Sequence, residues 1–252
     1  MPTDITIQFT EVYVKTKENI SLLIQLLDEF DFHIRWPTVK LLNVLIKNCT
    51  KQMQECILVS PMAISKLMDL LLDSREIIRN DTLILLQNLT KGHSNIQKIV
   101  AFENAFERLL EIIDNEGSND GGIIVSDCLN LIINLLKSNS SNQNFFKEGN
   151  FIKRLCKYFE FNNDNESQSW YEQKCKNINL QLNVIRCLIS PTNQHQIIQN
   201  CQKSINNCGL LHRLCAALMI PGLPAEVLTE VNFIELKYFK KNITEKITFS
   251  RL

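Results

Sequence analysis

The sequence predicts an all-α fold built from repeated helical units, and three observations support this prediction. The clearest helix, residues 77–91, has an apolar face at helical spacing formed by Ile77, Ile78, Leu85, Leu86 and Leu89. Similar helices recur at 34–47, 125–138 and 180–190. Glycine is scarce, with seven residues in 252, which disfavours tight β-hairpins. A helical period of roughly 45 residues is typical of armadillo or HEAT repeats, and we expect an armadillo-like right-handed α-solenoid superhelix.

The composition indicates a protein without a strong electrostatic preference for its partners. Lysine plus arginine and aspartate plus glutamate both number 27, so the formal net charge is zero. No global field draws the chain to nucleic acid or to an anionic membrane. The nine cysteines are odd in number, form no CxxC pair and lie mostly in apolar helical runs, as reduced cysteines of a cytosolic protein do. Because there is neither a signal peptide nor an apolar run of bilayer length, we expect a cytoplasmic chain without a transmembrane segment.

In chain order, we expect four to five helical units and a divergent tail. The expected units are 5–60, 61–103, 104–149, 150–208 and 209–236, and the tail, 237–252, is expected to fray. In the first unit, Pro37 suits the first turn of its helix, where its missing N–H costs nothing. In the second unit, Ser74 is a plausible helix cap.

Two polar segments interrupt the later units. We expect the loop 114–122 to be exposed and mobile because it is long and polar. The segment 161–173 is a second polar insertion. Either segment could contact a partner or be a tolerated insertion, and the sequence does not separate these interpretations.

The sequence gives no sign of catalysis. It contains no GxSxG, GxxxxGK[ST], HExxH or GxGxxG motif. Cys208, His212 and Cys215 would share one face of an unbroken helix and could offer ligands to zinc, but Gly209 lies among them and a fourth ligand is missing. We therefore expect no catalytic residue, no cofactor and no metal, and a protein that is not an enzyme.

The best candidate site is a polar stripe on the repeated helices, which would line one groove of the expected superhelix. Aligned by the repeat, one position holds an amide in each of the first four units: Asn43, Gln87, Asn134 and Asn183. Neighbouring turns add Trp36, Lys40, Lys47, Asn80, Lys91 and Asp127. Amides there could bind the backbone of an extended peptide, and Trp36 could offer an apolar or cation-stacking surface. The alternative is that the stripe is the solvated side of helices whose other side is buried, with Trp36 packed beside Pro37.

Several stretches also resemble a known family. They are HIRWP (33–37), ILVSPM (57–62), SREIIRND (74–81), QKIVAFENAFERLL (97–110), NEGSNDGG (115–122), NQNFFKEG (142–149) and GLPAEVLTE (222–230). These stretches resemble the globular head of the general vesicular transport factors, which tether vesicles between the endoplasmic reticulum and the Golgi, and the resemblance runs from about Ile7 to Val231. The sequence contains neither a heptad run nor an acidic block, so we expect a middle piece of the head, without the family's coiled coil and acidic tail.

This resemblance implies a set of partners. They are a Rab-family small GTPase, SNAREs, other Golgi tethers and a second copy of the chain in a homodimer. It also implies peripheral association with Golgi and vesicle membranes through proteins. The zero net charge separately leads us to expect no nucleic-acid partner. Two other functions fit the fold. An import-type peptide receptor should show repeated tryptophan–asparagine pairs and an acidic groove, whereas Lys40, Lys47 and Lys91 oppose a groove for basic peptides. The other is a regulatory scaffold subunit of an enzyme.

Overall fold

The computed structural model describes residues 4–161, 170–220 and 222–234, and all regular structure within these ranges is helical. Residues 162–169 and the expected tail, 237–252, lie outside the described part. The chain divides into two compact units, 1–108 and 109–252. The finer division into five repeats stays a prediction.

The helices of the first unit are α1 (Asp4–Lys15), α2 (Lys17–Leu26), α3 (Phe32–Asn48), α4 (Thr50–Val59), α5 (Ala63–Asp69), α6 (Glu76–Thr90) and α7 (Ser94–Phe102). A 3₁₀ turn, Leu70–Leu72, extends α5, and α8 (Ala105–Asn115) spans the boundary between the units. The second unit continues with α9 (Ile123–Leu136), α10 (Ser140–Glu148), α11 (Phe151–Arg154), α12 (Glu172–Leu188), α13 (His195–Asn207), α14 (Leu210–Ala217) and α15 (225–234). Two further 3₁₀ turns are Ser118–Asp120 and Leu155–Phe159.

The longest helices supply the core of each unit. α3 packs along α6 in the first unit, and α9 packs along α12 in the second. The facing side chains are fully buried aliphatic residues such as Leu42, Leu85 and Leu129. Ile77 was expected on this apolar face but is 45% exposed, whereas Ile78 in the same first turn of α6 is fully buried. The described helices thus form the expected all-α, armadillo-like solenoid fold.

Two expectations about helix ends were wrong. α3 begins at Phe32, since the Asp31 carboxylate accepts a 2.8 Å hydrogen bond from the His33 N–H, so Pro37 lies inside the helix rather than in its first turn. A proline there removes one intrahelical hydrogen bond. Ser74 does not cap α6. The N-cap residue of α6 is Arg75, which makes no side-chain cap bond, and its N–H donates to the Asp73 carboxylate at 2.9 Å in the turn just before the helix.

Five helices, α2, α5, α8, α11 and α14, are called the second helices below, and each of the last four is joined to the one before it in the same way. α5, α8, α11 and α14 each follow a residue with positive φ: Met62, Asn104, Asn150 and Gly209. Four residues further on is a cation: Lys66, Arg108, Arg154 and Arg213. Each cation pairs with an acid near the end of the preceding second helix: Asp28, Asp69, Asp114 and Glu160. These partly exposed pairs contribute about 0–1 kcal/mol each, so they add little to stability.

The polar loop 114–122 is tied to the second unit rather than exposed throughout, which corrects the expectation. Asn177 on α12 is fully buried and its amide donates to the carbonyls of Asn119 and Gly121, at 3.1 and 2.8 Å. The Asn119 amide in turn donates to the Tyr158 carbonyl at 2.6 Å. The loop therefore links α12 to the 3₁₀ turn that follows α11.

Candidate functional site

In the first unit, Trp36 lies where α3 meets α6. Its indole N–H donates a 2.8 Å hydrogen bond to the Asp81 carboxylate on α6. Its half-buried ring stacks on Phe32, with ring centroids 5.3 Å apart, and the Lys40 ammonium lies 4.6 Å from the ring centroid. The contacts that Trp36 could offer a ligand are thus largely made within the chain, to the neighbouring repeat and to its own helix.

Asn43 is also used between these helices. It is 8% exposed, and its amide donates to the Asp81 backbone carbonyl at 2.8 Å. Its Oδ1 is buried and has no hydrogen-bond partner among the described residues. A buried amide that is half satisfied is a specific contact between repeats more than an accessible peptide-binding group.

The other predicted residues of the first unit are more accessible. Lys40, Lys47 and Lys91 are exposed, while Asn80 and Gln87 are half-buried. The Asn80 side chain accepts from the Arg79 guanidinium at 3.2 Å. The lysines give this part of the surface a positive character.

In the second unit, Asp127, Asn134 and Asn183 are all half-buried. Asn183 lines a cleft of about 410 Å³ between α9 and α12. This cleft, called the α9–α12 cleft below, also contains Asn130, Lys137 and Arg186, which the sequence analysis did not select. Asn130 lies one turn from Asn134 on α9, and Arg186 lies one turn from Asn183 on α12. Reading one turn to either side of the repeated amide would have found both residues.

A cluster of three paired charged side chains, Arg35, Asp73 and Arg75, lies elsewhere in the first unit. Asp73, with a side chain 3% exposed, accepts from the Arg75 guanidinium at 2.7 and 2.8 Å and from Arg35 at 2.9 Å. Arg75 holds the pKa of the Asp73 carboxyl well below its usual range, Arg35 adds to this effect, and burial opposes it. The cluster lines a depression of about 850 Å³ beside the exposed Phe30 ring. Because each charge is already paired, we interpret the cluster as a structural contact between α3 and the turn before α6.

The cysteine and histidine triplet is not on one helix. Cys208 follows the end of α13, Gly209 has φ of 80°, and His212 and Cys215 belong to α14. In the described part of the chain, no group of three or more His, Cys, Asp or Glu side chains is placed to hold a metal ion.

The fold is similar to that of the armadillo region of vesicular transport factors. A family model described as the armadillo tether-repeat of vesicular transport factor matches residues 167–227. A crystal structure of Uso1 superposes with a TM-score of 0.87 at 28% identity, covering 91% of this chain and 34% of that one.

Sequence relatives then specify the kind of protein. The chain is 57% identical over 227 residues to the general vesicular transport factor p115 of Homo sapiens, covering 90% of this chain and 23% of that protein. It is 30% identical over 243 residues to the intracellular protein transport protein USO1 of Saccharomyces cerevisiae, covering 96% of this chain and 14% of that protein. The expected resemblance is confirmed: this chain is a relative of the general vesicular transport factors and spans about a quarter of their length.

A helix that crosses a bilayer must be about 20 residues long and predominantly apolar. None of those in the described ranges is both long and apolar enough to cross a membrane.

Proposed function

We propose that this chain is a non-enzymatic vesicle-tethering or docking factor in ER-to-Golgi and intra-Golgi transport. The observation that carries the proposal is the 57% identity to p115, which extends over 90% of the chain. In this proposal the chain is a protein-interaction platform for Rab-type GTPases and Golgi tethers, with SNAREs and a second copy as further partners. Its association with Golgi and vesicle membranes is peripheral and runs through those proteins.

The packing of α3 against α6 supports a rigid platform. The bonds from Trp36 and Asn43 to Asp81 fix α3 against α6, so the exposed residues between them keep a defined spacing. A pre-ordered surface loses little conformational entropy on binding, which favours recognition of folded or extended partners. We propose that the accessible part of the stripe, Lys40, Lys47 and Lys91 with Gln87, contributes to partner contact in the first unit.

The experiment is affinity capture from cytosol supplemented with Golgi membranes, followed by mass spectrometry. The test variant is Lys47→Glu with Lys91→Glu, because both side chains are exposed. The matched control reverses two exposed lysines outside the stripe, Lys51→Glu with Lys153→Glu. Asn43 and Trp36 are left unchanged because their loss would disturb the α3–α6 contact.

Recovery of Rab GTPases or Golgi tethers by the wild type and the control, but not by the test variant, supports both the function and the surface. Equal recovery by all three keeps the tethering function and moves the contact to another face. A capture dominated by a phosphatase or kinase, without trafficking proteins, contradicts the proposal and favours a scaffold subunit.

A further inference from the structure

We propose that the α9–α12 cleft binds an extended acidic peptide segment, which deepens the proposed function by assigning a ligand class to one surface of the platform. Six residues carry the argument: Asn130, Ile133 and Lys137 from α9 and its C-terminus, and Leu180, Asn183 and Arg186 from α12. They form two facing rows with the same chemistry, each containing an amide, an aliphatic side chain and a cation.

The positive charge of the cleft favours a negatively charged ligand. Lys137 and Arg186 both line it, and none of the described residues that line it is acidic. Lys137 is exposed, and its ammonium makes no ion pair or hydrogen bond with another described residue. Carboxylates of a bound peptide would therefore meet two cations, one on each wall.

The two amide side chains that lie between the cations favour binding of a peptide backbone. Asn130 and Asn183 are half-buried, and neither side chain makes a hydrogen bond with another described residue. A carboxamide offers one acceptor and two donors, which matches the alternating N–H and C=O groups of an extended chain. Ile133 and Leu180, both half-buried, provide apolar contact for the aliphatic portions of the peptide.

Arg186 is held in place by α15, and this contact competes with the ligand. Its guanidinium pairs with Glu230 at 3.2 Å and lies 4.9 Å from the Phe233 ring centroid. The Arg186 and Glu230 side chains are 44% and 30% exposed, so the pair is a weak one that an incoming carboxylate can replace. Removing the Glu230 charge should therefore strengthen binding, whereas removing the Arg186 charge should weaken it.

The test uses fluorescence anisotropy with a labelled peptide of alternating glutamate and threonine, and a lysine–threonine peptide as its opposite. We expect the acidic peptide to bind at about 0.15 M salt and the basic peptide not to bind. Lys137→Glu and Arg186→Glu should each weaken binding by about fivefold, and Asn130→Ala with Asn183→Ala by about threefold to tenfold. Glu230→Gln should strengthen binding by about twofold. The control Lys153→Glu, an exposed lysine outside the cleft, should have no effect.

Three results with the peptides would overturn the inference. They are no binding of the acidic peptide, equal binding of both peptides, or equal weakening by Lys153→Glu and Lys137→Glu, which would indicate diffuse electrostatics. Tighter binding of single-stranded RNA or of phosphatidylserine vesicles at the same salt would also overturn it. The capture experiment separates this inference from the proposed function, because trafficking partners can be recovered by a chain that does not bind the peptide.

Discussion

The indole nitrogen of Trp36 and the carboxylate of Asp81 are 2.8 Å apart, and this bond joins α3 to α6. The Asp81 backbone carbonyl receives a second bond, from the Asn43 amide. Two residues of the predicted binding stripe thus converge on one residue of the next repeat. In this part of the stripe, the two side chains join neighbouring helices rather than face a ligand.

Trp36→Phe should lower the free energy of unfolding by about 1 kcal/mol, because it removes the hydrogen bond to Asp81 and keeps an aromatic ring beside Phe32. Asp81→Asn weakens the same bond, so the double variant should cost less than the sum of the two single variants. The measurement is urea unfolding of the wild type, both single variants and the double variant. Strict additivity would mean that the two side chains do not interact in solution.

Asp73→Asn should destabilise the chain by about 2 kcal/mol at pH 7, because the buried carboxylate pairs with Arg35 and Arg75. The folded-state pKa of Asp73 is depressed, so its contribution is complete above its unfolded-state pKa of about 4 and is lost as the pH falls toward the folded-state value. The penalty of the variant should therefore shrink when urea unfolding is repeated at low pH. Asp69→Asn, whose side chain is 71% exposed, is the control and should cost little at either pH.

Gln54→Leu should cost about 1–3 kcal/mol although it adds apolar volume. Gln54 is 5% exposed, and its amide donates to the carbonyls of Leu89 and Lys91 at the end of α6, at 2.9 and 3.0 Å. Those carbonyls would lose a partner in a place that water cannot easily reach. Gln52→Leu on the exposed side of the same helix is the control, and thermal unfolding of both variants gives the comparison.

Gly209→Ala should destabilise the chain by about 1 kcal/mol because φ there is 80°. No atom lies within 4 Å of the position a Cβ would take, so the cost is conformational rather than steric. Gly209→Asn should cost less, since asparagine tolerates this backbone region and occupies the equivalent positions 104 and 150. Thermal unfolding of the two variants tests the order, and a larger loss for asparagine would contradict it.

The repeat could be predicted from the sequence because aliphatic periodicity is a property of each helix alone. Leu85, Leu86 and Leu89 identify α6, and the same pattern identifies α3, α9 and α12. Helix ends were predicted less well, since they depend on single polar contacts. Asp31 rather than Pro37 sets the start of α3, and α6 begins after Arg75 without a side-chain cap from Ser74.

The candidate site was harder to predict because exposure depends on the neighbouring repeat. From the sequence, Asn43 and Asn183 occupy equivalent positions, but the structure buries the first against α6 and leaves the second in the α9–α12 cleft. The cations at 66, 108, 154 and 213 were missed for another reason. Their spacing is uneven, and the residues that precede these helices share a backbone angle rather than a chemical type.

The pairing of those cations with Asp28, Asp69, Asp114 and Glu160 gives the array a direction. α5, α8 and α11, the last together with the 3₁₀ turn that follows it, each pair a cation with the preceding second helix and an acid with the following one. A repeat transplanted in the reverse orientation would therefore place like charges opposite each other at both of its joints. One placed in the original orientation would find complementary partners even beside a repeat of different sequence. Recombination of whole repeats in the same order would thus keep opposite charges at these joints, whereas inversion would oppose like charges, at a cost of about 0–1 kcal/mol per joint.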